Sequence, residues 1–213
     1  MNHRLSSRRI LSGAVFAGLV SLCLAKPALA HHPFGGSAPK NIFEGILSGA
    51  GHPVIGFDHL AFVVAAGLLA AVISRGWRVP AAFVVATLFG TGVHLAEINL
   101  PMIEIVISVS VLLFGALAVM RDRLNPMVVV LLSALAGVFH GYAYGEAVVG
   151  AEPTPIVAYL IGFAGVQSAI AYTTYLLSKR AISTNQTSGL VSVRHAGFAV
   201  LGVGIAFVGG LLA

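Results

Sequence analysis

Two histidines and an aspartate fall within eight residues in the stretch Gly51-His52-Pro53-Val54-Ile55-Gly56-Phe57-Asp58-His59-Leu60. Imidazole nitrogen and carboxylate oxygen together suit divalent first-row cations, and no thiolate stands near them to select a softer ion. In a helix, His52 and His59 share a face. Asp58 beside His59 can ligate a cation or orient the imidazole, and Gly51 and Gly56 permit an irregular backbone there. His94 and Glu97 form a second group, whose i,i+3 spacing on a helix lets both side chains reach one ion. A third is Phe139-His140-Gly141-Tyr142-Ala143-Tyr144-Gly145-Glu146, in which His140 and Tyr144 share a face and Glu146 follows. For each group the competing reading is structural: a hydrogen-bonded network between helices, of the kind Gln167 and Ser168 could also supply.

The elements that must position these groups are membrane helices. The 213 residues are 58% hydrophobic and 9% charged, whereas soluble domains carry roughly 25% charge. Apolar runs near the ~20 residues needed to cross a bilayer recur along the chain. The expected fold is all-α, a polytopic bundle of six transmembrane helices. Their expected spans are Pro53–Ser74, Pro80–Ile98, Met102–Met120, Met127–Val149, Pro155–Leu177 and His195–Leu212. Prolines 53, 80, 101 and 155 stand at or beside helix starts, where a missing N–H costs little. Gly137, Gly141 and Gly145 form a small-residue face on the fourth helix, suited to close helix packing in lipid.

Ahead of the bundle, Met1–Arg9 is basic, Ile10–Ala25 is apolar and Ala28-Leu29-Ala30 is a small-x-small site. Residues 1–30 therefore read as a secretory signal peptide. Cleavage after Ala30 would leave His31 and His32 at a new N-terminus, followed by a short polar periplasmic segment over 31–52. Arg75, Arg78, Arg121, Arg123, Lys179, Arg180 and Arg194 then fall on one side, and the opposite side of the mature chain holds only Lys40. The positive-inside rule makes the basic side cytoplasmic. Both ends of a six-span protein in the bacterial inner membrane are then expected outside.

Sorted by side, Glu44, Asp58, Glu97, Glu104, Glu146 and Glu152 lie in the outer half and only Asp122 lies inside. Such an outer mouth concentrates cations. The donor set favours Ni²⁺, Co²⁺, Zn²⁺ or Cu²⁺ over Cu⁺, and a free amine next to His31 and His32 adds a chelating capture site. Of the 12 basic residues, four lie in the expected signal, which leaves eight against seven acidic ones and argues against nucleic-acid binding. Cys23 is the only cysteine and falls in the signal. No G-x-x-x-x-G-K-[ST] loop is present to bind a nucleotide triphosphate.

The stretch 51–60 resembles the H-P-x-x-G-x-D-H motif of the hydrogenase/urease accessory membrane proteins, the HupE/UreJ family. Phe139-His140-Gly141 with Gly145-Glu146 resembles that family's second histidine motif, and the resemblance extends over the whole chain. It implies a nickel permease, with cobalt as an alternative cargo, feeding nickel-enzyme maturation factors. It carries His52, Asp58 and His59 over to one metal motif and His140 to the other. Tyr144 departs from the pattern, standing where many relatives have a histidine. Two alternatives follow the same resemblance. One is a zinc-dependent intramembrane hydrolase of the ceramidase-like superfamily, and the other a metal-binding accessory protein without transport. The expected partners are a divalent metal ion, membrane lipid and a second copy of the chain.

Overall fold

A computed structural model describes residues 37–120 and 124–212. The signal peptide expected over 1–30, His31, His32 and the short basic link at 121–123 lie outside the described residues. Those described form seven α-helices and one 3₁₀ turn, without a strand. They are α1 Ile42–Ile55, α2 Phe57–Val72, α3 Arg78–Leu95, α4 Ile103–Met120, α5 Pro126–Gly145, α6 Pro153–Thr184 and α7 Gln186–Gly210, with the 3₁₀ turn Glu146–Val148 after α5. Five of the helices are each long and apolar enough to cross a membrane, and α1 with α2, bent by 77°, makes up to a sixth span. The chain is a multi-pass membrane helix bundle.

Three expectations about the elements need correction. The segment before residue 52 is not a polar extension but the helix α1. Asn41 caps it by accepting from the Glu44 amide at 2.9 Å, while the Glu44 carboxylate accepts from the Lys40 amide at 2.8 Å. This is a reciprocal cap of the kind that starts helices. Pro53 therefore lies inside the last turns of a helix rather than at a helix start, and the chain breaks after it at Gly56. Secondly, α3 stops at Leu95, so Glu97 is not on the face of His94. The amides of Ala96 and Glu97 fold back onto Gly92 and His94, and Glu97 takes a left-handed φ of 59°. Leu100 precedes Pro101, which disfavours helix at the preceding residue, and the chain must turn there into α4. Thirdly, the long loop expected over 178–194 is almost wholly helical. Only Asn185 separates α6 from α7, and its side chain caps α7 by accepting from the Ser188 amide.

Packing makes α2 the axis of the bundle. Eleven of its sixteen residues are buried, and it touches each of the other six helices. Phe62, Leu69, Phe83 and Phe114 fill the core around it. The glycine face of α5 does pack on α3: a Cβ on Gly137 would meet the Phe83 carbonyl at 2.7 Å, and one on Gly145 would meet His94 Cβ at 2.6 Å. The outward side chains are apolar, among them Val85, Phe89, Leu131, Leu135, Ile161 and Ile205. Such a surface is stable only against lipid.

Candidate metal centre

The break at Gly56 positions the centre. The last turn of α1 delivers His52, and the first turn of α2 delivers Asp58 and His59. All three are buried, with relative exposures of 2%, 5% and 0%. They therefore sit within the bundle. Two helix ends meet there. Polarisable carbonyls and the negative end of the α1 dipole favour a cation, as does the carboxylate at the start of α2.

Around this junction the side chains are tightly linked. His59 Nδ1 lies 2.8 Å from His140 Nδ1, so one ring donates and the other accepts. His140 Nε2 lies 3.0 Å from Ser110 Oγ on α4. On the other side, His52 Nδ1 lies 2.9 Å from the Tyr159 hydroxyl on α6, which donates to the carbonyl of Tyr144 at 2.8 Å. The rings of His52 and His59 are 5.6 Å apart between centroids. The Tyr144 ring packs edge-on against both, at 4.8 and 4.6 Å. Asp58 Oδ1 accepts from the His59 amide at 2.8 Å, which ties the carboxylate to the α2 start.

Beneath His140 the surroundings become apolar. Phe62 lies 4.7 Å from it and Phe83 5.5 Å, and Phe62 also packs on Phe114 at 4.4 Å. The three phenylalanines are fully buried. Along the helices, Phe62 lies between His59 and Arg75, and Phe83 between Arg78 and His94.

Of the nine residues expected to serve the metal, four come together: His52, Asp58, His59 and His140. His94 stands apart on α3. It is half-buried, its ring edge-on to Tyr142 at 4.5 Å, with a buried Nδ1 that has no hydrogen-bond partner among the described residues. Glu97 and Glu146 are exposed. Glu146 begins the 3₁₀ turn, in which Ala147 and Val148 are the buried residues. Among the described residues, no three His, Cys, Asp or Glu side chains converge on one ion-sized point. Two members of the cluster were not singled out from sequence. Ser110 and Tyr159 are isolated polar residues in apolar runs, with no spacing partner to mark them.

The profile of the HupE / UreJ protein family matches residues 19–207 of the 213. Protein HupE of Rhizobium leguminosarum bv. viciae is 32% identical over 124 residues, an alignment covering 57% of this chain and 62% of that relative. The match thus spans less than two thirds of the relative's length. No solved structure matches the chain. With the profile match running through nearly the entire bundle and over both histidine motifs, the chain belongs to the HupE / UreJ family.

Proposed function

We propose that this protein carries a divalent transition-metal cation across the bacterial inner membrane, with Ni²⁺ as the cargo and Co²⁺ as its nearest competitor. In this reading it is a facilitator supplying metalloenzyme maturation. The observation that supports it most is the buried group of His52, Asp58 and His59 at a helix break inside a membrane bundle. Ionisable side chains are costly in hydrocarbon and mark ion pathways, and discontinuous helices are where transporters bind ions.

The steps follow from the chemistry of the residues. The exposed Glu97, Glu104 and Glu146, with His31 and His32, attract the cation at the outer face. His52, Asp58 and His59 replace its water with imidazole and carboxylate. His94 borders the approach along the α3–α5 seam. Passage past His140 and the phenylalanines delivers the ion to the cytoplasmic side. An inside-negative potential supplies about 4.6 kcal/mol for a divalent ion at 100 mV, from ~2.3 per charge.

Uptake of Ni²⁺, Co²⁺ and Zn²⁺ by proteoliposomes tests this reading. His59→Ala and Asp58→Asn are each expected to lower Ni²⁺ uptake at least tenfold, in line with removal of a metal ligand or its partner. Wild-type rates in both variants would sink the proposal. Imidazole and carboxylate are also the donor types of catalytic zinc. Tightly held stoichiometric zinc with amide hydrolysis, and no flux, would favour the hydrolase. Binding with neither flux nor hydrolysis would favour an accessory role.

A further inference from the structure

Two hydrogen-bond chains of the same design reach the centre, and each fixes which nitrogen of a histidine carries its proton. The first runs through Tyr159. Its hydroxyl lies 2.8 Å from the Tyr144 carbonyl and 2.9 Å from His52 Nδ1. Tyr144 is in the last turn of α5, and a carbonyl oxygen can only accept. The single hydroxyl proton of Tyr159 goes there, so its oxygen accepts and His52 donates from Nδ1.

The second chain runs through Ser110. Its oxygen lies 2.7 Å from the Ile107 carbonyl and 3.0 Å from His140 Nε2. These are the usual separations of an O–H···O and an N–H···O bond respectively. Ser110 therefore donates to Ile107 and accepts from His140 Nε2. His140 Nδ1 is then bare of a proton and accepts from His59 Nδ1 at 2.8 Å. Both chains end alike: His52 and His59 carry the proton on Nδ1 and a lone pair on Nε2.

We propose that Tyr159 and Ser110 are positioning residues of the metal centre, holding His52 directly and His59 through His140 in the tautomer that offers Nε2 to one cation. An imidazole whose other N–H is held by a partner is the usual form of a metal-binding histidine. His140 is then the link that orients His59, not a ligand of the same ion. Gly56 lies against the Nε2 side of the His59 ring. A Cβ there would stand 2.5 Å from His59 Cδ2, the atom next to Nε2. The inference rests on the transport reading for the use of the cation, while the tautomers are a property of the metal-free protein.

The test has two arms. In the first, histidine-¹⁵N-labelled protein in lipid nanodiscs is examined by long-range ¹H–¹⁵N correlation at about pH 8.5, above the ordinary imidazole pKa of ~6.5. His52 and His59 are assigned by substituting each in turn. Both are expected to be protonated at Nδ1, with Ser110→Ala spreading His59 over two tautomers and Tyr159→Phe doing so for His52.

In the second arm, KM for Ni²⁺ uptake is expected to rise about 10–100-fold in each variant, with Vmax less affected. Ser110→Thr, which keeps the hydroxyl, is expected to restore both tautomer and KM. Wild-type protein protonated at Nε2 of either ring overturns the proposal, as does unchanged KM in both Ser110→Ala and Tyr159→Phe. The assigned tautomers in a protein that moves no Ni²⁺, Co²⁺ or Zn²⁺ would support the hydrogen-bond assignment and overturn the transport reading.

Discussion

Tyr144 packs its ring against both His52 and His59, yet its buried hydroxyl has no hydrogen-bond partner among the described residues. A buried hydroxyl in that condition costs about 1–3 kcal/mol, and in this position it can bond a metal-bound water. Tyr144→Phe keeps the ring and removes the hydroxyl. The variant's metal-free thermal midpoint is expected to rise, by about 2–4 °C per kcal/mol for a chain of this size, while apparent Ni²⁺ affinity falls several-fold. A lowered midpoint with unchanged uptake would show that the hydroxyl serves the fold alone. At this scale the sequence was informative wherever a residue was out of place for lipid. His52, Asp58, His59 and His140 stand out in apolar runs, and the fold brings them together. A tyrosine or serine is ordinary in such runs, so Tyr159 and Ser110 became visible only through their distances to imidazole nitrogens.

At the scale of elements, the break between α1 and α2 governs the site. Gly56 holds a ψ of 100° and closes α1 with its amide on the His52 carbonyl at 3.0 Å. Gly56→Ala would force a methyl group against His59, and either the ring turns or the two helices move apart. Ni²⁺ uptake is expected to fall at least tenfold, with far-UV circular dichroism unchanged because the helices themselves persist. Full activity would mean that the His59 ring can adapt. Span number and small-residue packing were legible from periodicity and hydropathy. Helix ends were not, because they depend on caps and breaks rather than on apolar content. Asn41 with Glu44 starts a helix in a Gly-rich stretch, Asn185 turns a hairpin in one residue, and Ala96 with Glu97 ends α3 early. The grouping of His94 with Glu97 failed for that reason alone.

At the scale of the whole molecule, Phe62 packs on Phe83 and Phe114 and forms an apolar layer against His140. In the transport reading, the path of the ion crosses that layer. Phe114→Ala removes part of that layer and leaves His52, Asp58, His59 and His140 in place. Passive cation leak in proteoliposomes is expected to increase several-fold while the Ni²⁺ concentration for half-maximal uptake changes little. Leak and uptake both at wild-type levels would place the barrier elsewhere. The cost of the cavity, about 3–5 kcal/mol for a buried phenylalanine, makes Phe114→Leu the milder companion variant. If transport is the function, stronger inside-negative potentials imposed by potassium and valinomycin are expected to accelerate uptake, and insensitivity to them would argue for another energy source.

The junction of α1 and α2 has one more consequence, in the sign of what it carries. In the transport reading, two neutral imidazoles and one carboxylate would amount to one negative charge, and a bound divalent ion would turn the total to one positive charge. An inside-negative potential would then pull a loaded centre inward and push an empty one outward, each by up to ~2.3 kcal/mol per 100 mV for a full crossing. A single aspartate among histidines would make the cycle a rectifier, with the same voltage driving both the delivery stroke and the return.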